Sequence, residues 1–193
     1  MRRASAAVCK EAWSGRKGKV KLMYEIGALI IYGSEGVCQV QDIGSPNIPA
    51  INPERTYYTL NPIYREGVIY TPVDSRVFMR PVISKVDAER LVEEIPTISE
   101  TPCEEKNLRF LAEHYDKFLQ SHNCADLVQL IKSLYQKKQR AALAGKKPGA
   151  VDERYMKRAE ELLYGELAAV LEISRETVLS FIKSSVEDVN PAV

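Results

Sequence analysis

The chain has 193 residues, with 45% hydrophobic and 27% charged side chains and a formal net charge of +1. That length holds one medium domain or two small ones, and the composition is that of an ordinary globular protein. No apolar run approaches the roughly 20 residues that span a bilayer, and the basic start lacks the continuous apolar segment of a secretory signal. A cytoplasmic protein is therefore expected. Four scattered cysteines (Cys9, Cys38, Cys103, Cys124), without a CxxC, argue against a zinc site and against a disulfide framework.

The near-zero net charge hides a division. Residues 1–22 carry seven basic side chains against one acidic. Residues 23–95 carry six basic and ten acidic, and residues 96–193 fourteen basic and fifteen acidic. Neither half of the patterned chain is basic overall, which weakens a simple nucleic-acid reading. Residues 1–22 lack hydrophobic periodicity and read as a disordered basic extension. Either an upstream start precedes a folded part that begins at Met23, or the extension is a true basic tail able to hold polyanions.

From Met23 the chain reads as strands. "ALIIY" and "GVCQVQDI" flank the turn candidate "GSEG", and "TYYTLNPI" and "GVIYTPV" are β-branched and aromatic runs joined through "YREG". "GSPNIPAINPER" must be a loop. Pro72 is placed at a strand end, where a missing N–H costs least. Short strands with tight turns and no long helix predict a small closed or half-closed β-barrel over 23–95. Tyr57, Tyr58, Tyr64 and Tyr70 fit an aromatic docking surface and barrel core about equally well.

The period changes near residue 86. "DAERLVEEI" reads as a short helix and 96–102 as a linker. A helical domain follows over 103–184, with a flexible tail at 185–193. Thr101-Pro102-Cys103-Glu104 has the form of a capping box. Leu108, Leu111, Ala112, Tyr115, Phe118 and Leu119 follow at helical spacing. Asn123 caps the next predicted helix, with Leu127, Leu130, Ile131, Leu134 and Tyr135 inward and Gly145 as its stop. A third runs from about Asp152 to Leu171, with Met156, Ala159, Leu162, Leu163 and Leu167 inward. Ser174 caps a fourth, with Val178, Leu179, Phe181 and Ile182 as its apolar stripe. The fold class is α+β in two domains, a small barrel and then an all-α bundle.

Two patterns bear on nucleic acid. Residues 132–158 hold nine basic side chains (Lys132, Lys137, Lys138, Arg140, Lys146, Lys147, Arg154, Lys157, Arg158) against Asp152 and Glu153. Such a cluster can neutralise several phosphates, and it is equally what a solvated helical hairpin with a dipole-favoured basic end looks like. "ELAAVLEISRETVLSFI" has the outline of a helix-turn-helix. A base-reading helix needs basic or amide side chains toward the groove; this one offers Arg175 and Lys183, and Glu172 stands where glycine is common. It reads better as the closing corner of the bundle. His114 and His122 have no catalytic partner pattern and read as solvent-facing helix residues. The adjacent pairs Glu93-Glu94 and Glu104-Glu105 face different sides of a helix, and no phosphate loop, nucleophile elbow or metal spacing appears. No enzyme, cofactor or metal is expected.

Tyr24-Glu25-Ile26-Gly27, Ile30-Ile31-Tyr32, Gly36-Val37 and Val40-x-x-Ile43 together resemble the opening signature of the CarD/CdnL family of bacterial transcription regulators. The runs "YYTL…GVIYTPV" and "LIKSLYQKKQ…MKRAEELLYGELAAVL" are similar to that family as well, so the resemblance covers about 23–184. It implies a Tudor-like (SH3-like) barrel that docks on the RNA polymerase β subunit. It also implies a helical domain that contacts promoter DNA weakly and without sequence preference, in a monomer. Strand addition at an edge including Gly67, Val68, Ile69, Tyr70 and Thr71 is the docking mode it implies. The DNA contacts it implies are Leu108, Arg109, Lys137, Lys138, Arg140, Lys146, Lys147, Arg154, Lys157 and Arg158. The sequence departs from the family at Ala28, Gly33 and Glu35. It departs also at Leu108, where many members carry a tryptophan that wedges into the minor groove; the only tryptophan here is Trp13.

Overall fold

The computed structural model describes residues 23–49 and 52–189, so the extension over 1–22, with Trp13 and Cys9, and the end of the 185–193 tail lie outside the described residues. The chain divides into two compact units between Val82 and Ile83. The sequence reading ended the first unit at residue 95. The helix over Lys85–Glu94 packs instead with the helices that follow it, as part of the second unit.

The first unit is a five-stranded antiparallel sheet. Its strands are β1 (Leu29–Tyr32), β2 (Gly36–Gly44), β3 (Tyr57–Pro62), β4 (Ile69–Pro72) and β5 (Met79–Pro81), in the order β4-β3-β2-β1-β5. The "GSEG" turn forms as a 3₁₀ turn over Gly33–Glu35, with Gly36 in a positive-φ conformation (84°) that suits glycine. Tyr24, Ile30, Cys38, Val40, Tyr58 and Leu60 form the core. The Tyr58 hydroxyl accepts from the backbone N–H groups of Met23 and Tyr24, at 3.0 and 3.3 Å, and ties the entry of the chain to the sheet. Burial pushes the Cys38 thiol up to about 11, which keeps it protonated.

Of the barrel expectation, the single antiparallel sheet forms but closure does not: among the described residues no ladder joins β4 to β5. The physical reason lies in the edges. β5 has three residues and ends in Pro81, and Pro72 closes β4, so neither edge offers a continuous row of N–H donors. β5 escaped the sequence reading because three residues are too few for alternation to show.

The second unit holds α1 (Lys85–Glu94), α2 (Leu108–Gln120), α3 (Cys124–Leu143), α4 (Ala150–Leu171) and α5 (Arg175–Val189). Helix α1 starts at Ser84, whose hydroxyl oxygen accepts from Asp87 N–H. Asn123 caps α3 as expected, accepting from Ala125 N–H. The capping box at Thr101 does not form. Helix α2 begins seven residues later, capped by Asn107. The Thr101 hydroxyl accepts instead from Gln129 Nε2 at 3.0 Å and its N–H donates to Ser133 Oγ at 2.9 Å. The linker is thereby fastened to α3. Lys132 adds to this, donating to the carbonyls of Ile95 and Ile98 and pairing with Glu100 at 3.4 Å.

Helices α3 and α4 bury Leu127, Leu130 and Leu134 against Ala159, Leu163 and Leu167. Tyr135, expected inward, is exposed, and Val128 and Ser133 take core positions instead. Glu166 is fully buried. Its two oxygens accept from Ile83 N–H (3.0 Å) and the Cys124 thiol (3.2 Å), so the carboxylate is hydrogen-bonded on both sides.

Helix α4 ends at Glu172, which adopts the left-handed conformation (φ 57°) while Ile173 N–H reaches back to Ala168 O at 3.1 Å. That is the six-to-one bond of a glycine-type stop made without glycine. A β-carbon there costs about 1 kcal/mol. Glu172→Gly is therefore expected to raise the unfolding free energy by about 1 kcal/mol, measured by urea denaturation; a loss of stability would show that the Glu172 side chain contributes more than its backbone strain costs.

Candidate docking edge and nucleic-acid interface

The five residues proposed for docking fall at one place. Ile69, Tyr70 and Thr71 lie in β4, and Gly67 (φ 120°) and Val68 lead into it. β4 is an edge, paired on one side only, with Leu60↔Ile69 and Tyr57↔Pro72 in register with β3. Val73 N–H donates to Thr56 O at 3.1 Å. By the alternation of an antiparallel ladder, Thr71 and Ile69 then also face β3, while the N–H and C=O of Tyr70 face the open side. Pro72 faces the open side too and has only a carbonyl to give. The Thr71 side chain is buried, and Ile63, Val68 and Tyr70 are exposed apolar side chains beside the edge. The four tyrosines divide accordingly: Tyr57 and Tyr58 are buried, Tyr64 is half-buried and Tyr70 is exposed. Arg65, in the β3–β4 connection, pairs with Glu35 at 2.9 Å and fixes that loop.

The ten proposed DNA contacts do not form one patch. Glu104 pairs with Arg140, and Tyr115 meets Lys137 and Asp152. The N-terminus of α2, the C-terminus of α3 and the N-terminus of α4 therefore share one end of the bundle. Leu108, Arg109, Lys138, Arg140, Lys146 and Lys147 belong to that end. There Lys137, Lys138, Arg140 and Lys146 line a cleft of about 280 Å³ with Asp152. Arg154, Lys157 and Arg158 lie along a different side of α4, around a second groove floored by Leu119 and Tyr155.

Nor are all of these cations available. The Lys137 ammonium lies 3.0 Å from Asp152 and 3.0 Å from the Tyr115 hydroxyl, and both charged side chains are 16% exposed. Lys137 is thus an internal counter-ion, a role its place in a basic run did not indicate. Arg109 pairs with Glu113, Arg140 with Glu104 and Arg158 with Glu161. Arg154 stacks over the Tyr155 ring, 5.3 Å from its centroid. Lys138, Lys146, Lys147 and Lys157 are exposed and carry no ion pair among the described residues.

The cluster that holds this end together was missed in the sequence. Tyr115 on α2 donates to Asp152 on α4 at 2.7 Å; Tyr155 on α4 donates to Asp116 on α2 at 2.8 Å; the two rings lie 5.2 Å apart. Burial, and then the bond to Asp152, push the Tyr115 hydroxyl far above its ordinary range, so it remains a donor. The signal was present as Tyr-Asp at 115–116 against Asp-x-x-Tyr at 152–155, but only the side-by-side packing of α2 and α4 in the same direction makes it a pair. His114 packs edge-on against Tyr115 and Phe118 and is half-buried rather than solvent-facing, and His122 lies in the turn after α2 with φ 52°.

Val178 is fully buried, and α5 packs against α1 and α4. Leu179, expected inward, is exposed.

Asp152→Asn leaves Lys137 without its counter-charge in a half-desolvated place. It is expected to cost about 2 kcal/mol of stability, and Tyr155→Phe about 1 kcal/mol. Urea midpoints of the two variants check this; equal, negligible shifts would show that the clasp does not hold α2 to α4.

No helix among the described residues is long and apolar enough to cross a membrane, and no group of three potential metal ligands is present among them. No curated protein matches the chain. Residues 24–83 match the family model of the CarD-like/TRCF RID domain. The match ends one residue beyond the structural division at Val82 and contains all five strands, the open β4 edge included. The first unit of this chain thus belongs to the CarD-like/TRCF RID family, in agreement with the resemblance carried by its signature residues.

Proposed function

We propose that the protein is a transcription regulator that binds RNA polymerase, through its β subunit, by adding the open edge of β4 to a strand of the polymerase. The observation that carries this reading is the coincidence of the family match with an unpaired edge at Ile69–Pro72. The outward N–H and C=O of Tyr70 supply main-chain bonds, and the exposed Ile63, Val68 and Tyr70 side chains supply apolar contact. The helical unit contacts promoter DNA weakly and without reading bases. Polymerase supplies position, so a near-neutral domain suffices for a contact made at high effective concentration. Leu108 and Phe110, exposed in the first turn of α2, are the apolar side chains at the place where the family's wedge is expected. The protein acts by binding, in the cytoplasm, with no chemistry or cofactor of its own.

A second reading is an adaptor that binds polymerase without touching DNA. What favours it is the pairing of Arg109, Lys132, Lys137, Arg140 and Arg158 with carboxylates of the same unit.

Tyr70→Pro removes the outward N–H and leaves the β3 ladder intact. The full-length variant is expected to lose retention on immobilised RNA polymerase while its circular dichroism stays that of the parent. Undiminished retention would move docking off the β4 edge. Reversing Lys138, Lys146 and Lys147 to Glu is expected to weaken promoter-complex binding. It should also flatten the salt dependence by about one logarithmic unit per lost phosphate contact. An unchanged slope selects the adaptor.

A further inference from the structure

The second groove, of about 370 Å³, lies where Arg154, Tyr155, Lys157, Arg158 and Glu161 of α4 meet Leu119 near the end of α2. Arg154, Lys157, Arg158 and Glu161 stand at i, i+3, i+4 and i+7, so they form one row along a single face of the helix. Beside the row the floor is apolar. It consists of the half-buried Leu119 side chain and the buried ring of Tyr155, which its bond to Asp116 holds in place. Arg154 is exposed and lies over that ring, 5.3 Å from its centroid; Lys157 is exposed and has no ion pair among the described residues. Arg158 differs, because it pairs with Glu161 at 3.1 Å. The groove thus offers two outward cations, then a neutralised pair, along an apolar floor.

Its volume falls near the lower end of the roughly 300–1,000 Å³ typical of ligand clefts, enough to take a large apolar side chain. Duplex DNA would neutralise Arg154 and Lys157, but it has no side chain to fill the floor, and the Glu161 carboxylate opposes phosphates. A lipid surface takes apolar groups that stand out from the protein, whereas Leu119 and Tyr155 are recessed. A charged row at helical spacing beside an apolar floor is what an amphipathic helix laid in a groove requires.

We propose that this groove docks an acidic amphipathic helix of a partner protein. A large aliphatic side chain of that helix rests on Leu119 and Tyr155, its carboxylates meet Arg154 and Lys157, and an uncharged side chain passes the Arg158–Glu161 pair. The groove lies on a different side of α4 from the cleft at the DNA-contacting end, so neither proposal rests on the other.

The test titrates the full-length protein into a fluorescein-labelled helical peptide built of glutamate with a leucine stripe, read by anisotropy, while methyl resonances are followed by NMR. Saturable binding is expected, with shifts at the Leu119 methyls and none at those of Leu143. Lys157→Glu is expected to weaken the peptide roughly tenfold and Lys157→Arg to keep it. A peptide with lysine in place of glutamate should prefer the Lys157→Glu variant. The Lys157 side chain is exposed and unpaired, so these variants remain folded, which circular dichroism checks. A short duplex should neither displace the peptide nor distinguish Lys157→Glu from the parent. No saturable peptide binding would overturn the proposal, and so would an alanine-for-leucine peptide that binds as well as the leucine one. Equal weakening by Lys146→Glu would reduce the contact to general charge. Displacement by the duplex would give the groove to nucleic acid, and a dimer that Lys157→Glu dissolves, seen by sedimentation without peptide, would give it to a second copy. If the duplex does not bind the parent while the peptide does, the DNA contact is lost and the groove stands.

Discussion

The helical unit depends on a clasp of four side chains and one ammonium. Tyr115 reaches from α2 to Asp152 on α4, Tyr155 reaches back to Asp116, and Lys137 of α3 sits over the Tyr115 ring and against Asp152. Each polar atom satisfies another, which is the condition under which a buried network holds rather than weakens a fold. The clasp also decides the electrostatics of the end it closes. Lys137 and Asp152 neutralise one another inside, so the charge this end presents comes from the exposed side chains beyond them, Glu153 as well as the lysines. Glu166 does comparable work deeper in the unit, where its carboxylate joins the start of the helical region at Ile83 to Cys124 on α3.

The two units are built on different logic, and the functional reading follows that difference. In the sheet, the proposed recognition element is the main chain: an edge strand that docks by strand addition uses its N–H and C=O groups and needs little from its side chains beyond exposure at Tyr70. In the helices, the main chain is spent on itself, and only side chains are available outward. A contact made through a few lysines is weak in free solution and becomes useful when another contact supplies position. Opposite tasks thus suit opposite ends of one short chain.

Much of the fold was legible in the sequence because local patterns decide it. β1 to β4 follow from β-branched runs between glycine and proline turns, and α3 and α4 from apolar stripes with Asn123 and Gly145 as punctuation. What was not legible depended on distant partners. Thr101 has the local form of a helix cap, but Gln129 and Ser133 occupy its polar groups, and α2 starts at Asn107 instead. Glu172 argued against a tight corner, yet a residue other than glycine adopts the left-handed turn there. Sheet closure is a long-range property, and four strand signals could not distinguish an open sheet from a barrel. For the candidate site, Ile69, Tyr70 and Thr71 do fall on an edge strand, whereas a basic run does not tell which of its cations are paired. A charge count along the chain sees nine cations; the packing assigns Lys132 and Lys137 to internal work, pairs Arg140 and Arg158 with carboxylates, and sends the remainder to two sides of α4.

Pro72 has a further effect through where it stands. A free edge strand is a template on which any extended chain, another copy of the same protein included, can stack. Here the row of outward groups is interrupted after Tyr70, because the next outward position has a carbonyl and no N–H. A long ladder cannot grow past it, so indiscriminate edge-to-edge stacking gains one good pair of bonds and little more. A partner that brings its own apolar complement for Ile63, Val68 and Tyr70 is not penalised in the same way. The proline thus acts as a length limit on the edge, and it favours a short, side-chain-assisted fit over open-ended aggregation.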